Sequence, residues 1–215
     1  MIAINKNAEP NELLEYRLSP SATYDGPNFT PVKEAIRISL LEEQGYICAY
    51  CMQRIQDNRL KTKIEHWQSQ SGFPEFQLDY RNFLAVCDGR QGDSYKNTHC
   101  DTHRGNDPLK YNPSSSRTPI NTLLKYSSSG RVTSDEPLME KDIATLNLNQ
   151  IRMIGNRLEV LSVLADYLNK DSNSRTKPEL RKLLFKWESR DSNNMLKPYC
   201  GVAIFIIKKK MTRIQ

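Results

Sequence analysis

The sequence predicts a mostly helical α+β fold in which helices flank a loop-rich segment with short strands. Two stretches repeat apolar residues at helical spacing, NQIRMIGNRLEVLSVLADYL and PELRKLLFKWE. An earlier helix, residues 31–44, is indicated by Thr30-Pro31 at its start and Gly45 at its end. Between these helices, four of the five cysteines and all three histidines fall within residues 48–103. This clustering predicts a metal- or thiol-containing insert.

The remaining segments complete the predicted organisation. Residues 1–30 contain several prolines and predict an irregular arm, whereas LLKY and RVT around Ser-Ser-Ser-Gly predict a hairpin. The segment PYCGVAIFIIKKKMTRI suits a buried strand or a helix, and its length and helical neighbours favour a helix. We therefore divide the chain into an arm with a helix (1–44), the insert (45–112) and a hairpin with helices (113–215). We expect these parts to pack as one unit.

Charge and hydropathy narrow the class of protein. Lys and Arg exceed Asp and Glu by 31 to 25, a net charge of +6. That excess favours anionic partners such as nucleic acid, although solubility alone also accounts for it. No window reaches the roughly 18 apolar residues of a membrane span, and the first residues lack the apolar core of a secretion signal. We expect a cytoplasmic protein without a membrane partner.

The cysteine spacing permits three kinds of site. Cys48 and Cys51 form a C-x-x-C pair, and Cys87 and Cys100 are separated by twelve residues, which we call the inter-cysteine loop (residues 88–99). Four thiolates can hold a tetrahedral zinc ion, but a redox pair or buried free thiols also fit the spacing. No βαβ pattern follows the C-x-x-C, which disfavours a thioredoxin-like site. Cys200 lies in an apolar run and is predicted to be a core residue.

The residues of the insert follow a characteristic order. C-x-x-C is followed by Glu65-His66, then by Asn82 in N-x-L-x-x-C, and then by C-D-x-x-R-G from residue 100. This order resembles the HNH endonucleases. The segments CAYC, KIEHWQSQS, LDYRNFLAVCDG, HCDTHRGND and LNLNQIRMIGNRLEVL resemble, within that family, the PtuB-type effectors of retron-associated and Septu antiphage systems. The resemblance implies a ββα-metal core and a toxic nuclease acting with an ATPase.

The resemblance also implies a role for each matching residue. His66 matches the general base that activates water, and Glu65 matches the position that binds a catalytic Mg²⁺ or Mn²⁺ ion. Asn82 matches the asparagine that braces the loop and orients the base. The residues that match the structural zinc ligands are Cys48, Cys51, Cys87 and Cys100.

The last position of the HNH pattern departs from the family. Asp101 stands where histidine or asparagine is common, so we predict Asp101 as a ligand of the catalytic ion, with His103 second. His99 is predicted to be a surface or loop residue. Arg104 matches a position that would contact a phosphate.

The implied partners are nucleic acid, a PtuA-like ATPase subunit and a retron reverse transcriptase–DNA complex. Two other functions fit the same cysteines: a zinc-stabilised nucleic-acid-binding or scaffolding module without catalysis, and a thiol oxidoreductase. The residues leave open whether the substrate is DNA or RNA.

Overall fold

The computed structural model describes residues 1–169 and 175–214. It has the predicted mixed α/β character, with helices and two small antiparallel sheets. The helices are α1 (Asn11–Tyr16), α2 (Phe29–Glu43), α3 (Asp101–Arg104), α4 (Pro137–Thr145), α5 (Ile151–Asn169), α6 (Lys177–Glu188) and α7 (Cys200–Met211). The strands are β1 (Thr62–His66), β2 (Phe83–Cys87), β3 (Lys125–Tyr126) and β4 (Val132–Thr133). In these described ranges, no helix is long and apolar enough to cross a bilayer.

Helix α2 leads the chain into the insert. Val32, Ile36 and Leu40 recur every four residues and are buried, which gives the helix one core-facing stripe. The helix starts at Phe29, so Thr30 lies inside it instead of capping it as predicted. It stops where Gly45 takes a φ of +61°, as expected of a glycine just past a helix end.

The β1–β2 pair carries most of the predicted site. The strands run antiparallel, with His66 opposite Phe83, and β2 is buried along its whole length. Because side chains alternate along a strand, Lys63 and Glu65 lie on one face of β1 and His66 on the other. The chain then passes through the inter-cysteine loop to the single turn of α3. A strand pair and a short helix thus surround the cysteines.

The C-terminal helices pack as the apolar periodicity predicts. The ambiguous segment is helical, and α5, α6 and α7 share a buried cluster of aliphatic side chains. A second and larger buried cluster joins residues of the N-terminal arm, α2, β2 and α7. The predicted hairpin is present as β3 and β4, with Gly130 at a φ of +76° in its turn.

The N-terminal arm is more regular than predicted. Residues 1–30 are not irregular throughout, because α1 forms after Pro10 and α2 already begins at Phe29. Leu13 is fully buried and anchors α1 against α2. Burial of Leu13 stabilises this six-residue helix. The helix is too short for an apolar period to be recognised in its sequence.

Candidate metal centre and active site

The thiols of Cys48, Cys51, Cys87 and Cys100 meet in one buried cluster, which we call the cysteine cluster. All four sulfurs lie within 4.8 Å of one another. The Sγ–Sγ distance is 3.8 Å between Cys48 and Cys100 and also between Cys51 and Cys87. A tetrahedral zinc with Zn–S bonds of about 2.3 Å requires Sγ–Sγ edges of about 3.8 Å. The cluster can therefore hold a metal ion such as zinc.

The inter-cysteine loop closes on itself before it reaches the cluster. The backbone N–H of His99 donates to the carbonyl of Gly89 at 3.0 Å, which ties the two ends of the loop together. Gly89 has a φ of +58°, and a Cβ on it would stand 2.3 Å from the His99 carbonyl oxygen. Cys87 and Cys100 are therefore held close together, although twelve residues separate them.

Cys100 combines a strained backbone with a buried thiol. Its backbone has a φ of +55°, a conformation that costs a non-glycine residue about 1–3 kcal/mol and persists only where the surroundings enforce it. Burial raises the pKa of the Cys100 thiol well above its usual range. A bound cation would favour the thiolate there because it supplies the missing positive charge.

His99 is not the surface residue that was predicted. It does lie in the loop, but only 1% of it is exposed. Its Nδ1 lies 3.2 Å from Cys100 Sγ and 3.8 Å from Cys87 Sγ. The hydrogen bond between His99 and Gly89 holds this part of the loop so that the imidazole contacts the cysteine cluster.

Glu65 and Asp101 form the second cluster of the insert, which we call the carboxylate pair. Tyr50 Oη donates to Glu65 at 3.1 Å, and Lys63 Nζ lies 3.2 Å from the Asp101 carboxylate. Burial, and then the charge of Asp101 and a hydrogen bond to it, raise the pKa of Glu65 well above its ordinary value. Two carboxylates this close attract a cation, and hard divalent ions prefer such oxygen ligands.

Arg104 lies on the inside of the protein, beside the carboxylate pair. Its guanidinium forms an ion pair with Glu65 and donates to the carbonyls of Trp67 at 2.6 Å and Asp107 at 2.7 Å. Only 3% of the residue is exposed. The structure thus does not bring Arg104 to a surface where it would meet a phosphate, and instead uses it to join α3 to the end of β1.

His66 occupies the other face of β1. Its Nε2 lies 3.0 Å from the carbonyl of Gln77, and the rings of Tyr24 and Phe83 pack edge-on against the imidazole at 4.5 and 4.8 Å. Because a carbonyl only accepts, Nε2 carries the proton and Nδ1 keeps its lone pair. Burial lowers the pKa of His66, so the neutral imidazole dominates at neutral pH.

A cleft of about 480 Å³ opens beside His66, between α2 and β1. Its charged lining residues are the cations Lys33, Arg37, Arg59 and Lys63 and the carboxylates Asp25 and Glu34. Cations outnumber carboxylates in this lining. Lys33 is paired with Asp25, and both Arg37 and Arg59 are paired with Glu34, so the cleft carries a modest excess of positive charge, which suits an anionic chain such as a nucleic-acid backbone.

Asn82 braces the loop that joins β1 to β2. Its Oδ1 accepts from the backbone N–H of Gln68 at 2.8 Å, and its Nδ2 donates to the Gln68 carbonyl at 3.0 Å. Asn82 Nδ2 also makes a longer hydrogen bond, of 3.3 Å, to the carbonyl of Phe76. Phe76 directly precedes Gln77, whose carbonyl contacts His66.

His103 does not join the carboxylate pair. Its ring stacks on Tyr95, and its Nδ1 contacts Thr98 Oγ1 and the Tyr95 carbonyl, each at 3.1 Å. Within residues 1–169 and 175–214, the cysteine cluster is the group in which three or more metal-ligating side chains converge. The carboxylate pair therefore offers two ligands, Glu65 and Asp101.

Sequence reasoning missed three neighbours of these sites. Lys63 could have been found, because it lies two residues before Glu65 on a strand and so shares its face. Tyr50 lies between the cysteines of C-x-x-C, and Gln77 lies in the β1–β2 loop. Nothing in their local sequence indicates a contact with Glu65 or His66, since both contacts depend on how loops return to the sheet.

Similarity to known proteins gives one further observation. No family model matches the chain. The chain is similar to the Septu protein PtuB of Bacillus thuringiensis, with 27% identity over 97 residues, 43% of this chain. The matched region spans 37% of the length of that protein, well under two thirds. This similarity supports a relationship to the Septu proteins.

Proposed function

We propose that the protein is a metal-dependent HNH endonuclease that hydrolyses nucleic-acid phosphodiester bonds as the effector of a Septu-type antiphage system. Its β1–β2–α3 unit, within residues 45–112, would be the ββα-metal core, with zinc in the cysteine cluster. One observation supports the proposal: the same short strand, β1, carries a neutral histidine that lines a cleft with an excess of cations and, on its opposite face, one member of the carboxylate pair. The similarity to PtuB supports the defence role.

His66 is the general base in this proposal. Gln77 fixes its tautomer, so the Nδ1 lone pair is free to take a proton from a water molecule in the cleft. As that proton moves to Nδ1, the water oxygen bonds to phosphorus and the P–O bond to the leaving oxygen breaks. The leaving oxygen then takes a proton from solvent. Asn82 contributes by holding the loop that carries Gln77.

The carboxylate pair fits a hard divalent cation. Mg²⁺ is often bound by one or two carboxylates, with waters and substrate phosphate filling its other positions, so Glu65 and Asp101 suffice as protein ligands. A bound Mg²⁺ or Mn²⁺ would supply charge stabilisation of the phosphoryl transition state and leaving oxygen. Lys63 and Arg104 already contact these carboxylates, so the protein holds them in place beforehand.

The partners are part of the same proposal. A PtuA-type ATPase subunit is the expected partner, and a retron reverse transcriptase–DNA complex is a further one. Restraint of the nuclease by such partners is consistent with a toxic effector. Co-purification with the protein products of neighbouring genes tests this part independently of catalysis.

Cleavage of nucleic acid tests the enzyme assignment. The protein, alone and with its neighbouring gene products, is incubated with DNA and RNA pools in Mg²⁺ or Mn²⁺ and the products are separated on gels. We expect cleavage by the parent and its loss in His66→Ala and Glu65→Gln, with the zinc content unchanged. Asp166→Asn, which alters an exposed carboxylate on α5, serves as the control and retains activity. Full activity of His66→Ala would reject the assignment.

A second function is favoured by one specific contact. The guanidinium of Arg104 already neutralises Glu65, and Lys63 already neutralises Asp101, so the carboxylate pair is satisfied without a metal ion. That arrangement suits a zinc-stabilised nucleic-acid-binding module without catalysis. Nucleic-acid binding with no cleavage in any metal or partner context would support this alternative.

A further inference from the structure

Tyr95 is the one apolar side chain of the inter-cysteine loop, and it points to solvent. The tyrosine is 67% exposed and lies in a 3-10 turn, Tyr95–Asn97. The rest of the loop consists of glycines and polar or charged residues. The proposed function leaves this residue and the length of the loop without a purpose.

The tyrosine is held rigidly on one side. Its ring stacks nearly parallel on His103, with centroids 4.0 Å apart and planes 21° apart. His103 is in turn held by Thr98, which is buried. One face of Tyr95 is thus covered and fixed, and the high exposure of the residue leaves the other face open.

The surroundings of Tyr95 suit a nucleobase better than a protein. A protein hot spot combines an aromatic anchor with further apolar contacts, which this polar loop does not provide. Base recognition requires an open aromatic face and nearby cations for the phosphates. Lys96 is exposed beside Tyr95 and has no carboxylate partner in the described part of the chain.

The Tyr95–His103 stack also lies close to Asp101 of the carboxylate pair. His103 follows Asp101 by two residues on the same helical turn, so their backbones are at most about 7 Å apart. A base stacked on Tyr95 would therefore place its own or a neighbouring phosphate near Asp101.

We propose that Tyr95, backed by His103, is a stacking platform for an unpaired nucleobase, so that the site takes single-stranded or looped nucleic acid in preference to continuous duplex. In a duplex, both faces of each base are already stacked on neighbours and offer no surface to Tyr95. The inference deepens the proposed function and rests on it, because it defines the substrate class of that site.

Binding measured without cleavage tests the platform. The His66→Ala protein is titrated with single-stranded DNA and RNA oligonucleotides carrying 2-aminopurine, and with the matching duplexes. Stacking should quench the 2-aminopurine fluorescence of the single strands. Base–aromatic stacking predicts that Tyr95→Ala weakens binding about tenfold and abolishes the quench, whereas Tyr95→Phe retains both. Phe185→Ala, at a 71% exposed aromatic on α6, is the matched control and should change neither.

The outcomes separate this inference from the proposed function. Unchanged binding in Tyr95→Ala, or duplex bound as tightly as single strand, overturns the platform even if the parent cleaves nucleic acid. A Tyr95→Ala protein that binds nucleic acid normally but loses a protein partner overturns it in favour of a protein contact. Tyr95-dependent single-strand binding by a parent that never cleaves supports the platform and rejects the nuclease. Absence of all nucleic-acid binding overturns both.

Discussion

The cysteine cluster and the carboxylate pair sit on the same β1–β2–α3 unit, yet they meet a metal ion in opposite ways. The four cysteine sulfurs converge within 4.8 Å of one another and are fully enclosed. The carboxylates of Glu65 and Asp101 are already bonded to Arg104 and Lys63. A metal ion would enter the first cluster without displacing a protein cation, whereas at the second it would compete with two.

The two sites are therefore suited to different tasks. Structural zinc sites are closed and contribute folding energy, while catalytic sites keep open positions for water and substrate. A carboxylate pair satisfied by internal cations would stay folded without a metal ion and could bind and release one.

Loss of one cysteine ligand should have the largest effect. Structural zinc contributes about 10–16 kcal/mol of apparent binding free energy, as much as the whole stability of a typical domain. We therefore expect Cys48→Ser to lose zinc and to unfold the insert, as measured by zinc stoichiometry and circular dichroism. Cys200→Ala, which alters a buried thiol outside the cluster, should keep full zinc. A Cys48→Ser protein that melts like the parent would show that the cluster is not structural.

Removal of the buried Arg104 guanidinium beside Glu65 should have the second-largest effect on stability. Breaking a buried ion pair costs about 3–5 kcal/mol because a charge is left uncompensated, so Arg104→Met should lower the urea midpoint markedly. Adding Glu65→Gln should restore part of that loss. Mg²⁺ should stabilise Arg104→Met more than the parent, since the ion no longer competes with the guanidinium. Equal stabilisation of both proteins by Mg²⁺ would argue against an ion at the carboxylate pair.

The contact of His99 with the cysteine cluster should have an intermediate effect. Residues that hydrogen-bond to metal ligands typically change metal affinity by about 10–100-fold. We expect His99→Phe to release zinc faster to a chromogenic chelator while the fold is kept. Gln91→Ala, an exposed change in the same loop, is the control. Unchanged release would mean that the imidazole only fills space.

The smallest effect should follow loss of Lys63. Its pair with Asp101 is partly exposed on both sides, and such pairs contribute about 0–1 kcal/mol. Lys63→Met should therefore melt close to the parent temperature, yet bind Mg²⁺ or Mn²⁺ more tightly in calorimetric titration. Weaker ion binding would show that the lysine positions Asp101 and does not compete with the ion.

Much of the helical framework could be predicted from local patterns. The apolar stripes of α2, α5 and α6 are long enough to show the helical period, and Gly45 marks the end of α2. Helices α1 and α4 gave no usable signal, because six and nine residues hold too few turns. Such short helices depend on tertiary burial, as Leu13 illustrates.

The candidate site was less accessible to sequence reasoning. The four cysteines were grouped from their order along the chain, and the structure brings them together. The inward orientation of Arg104 and the burial of His99 depend on long-range folding and have no local signature. A long side chain on a one-turn helix reaches either solvent or core, and only the position of β1 decides between them.

The hydrogen bond that closes the inter-cysteine loop at Gly89 also has an evolutionary consequence. Because the bond fixes the two ends, residues 90–94, which precede Tyr95, can lengthen, shorten or change identity while the cluster keeps its geometry. Doubling a flexible loop costs only about 0.6 kcal/mol of closure entropy, a small load on folding. This stretch can therefore vary between related proteins more freely than the cysteine cluster, and chimaeras that exchange it should remain folded.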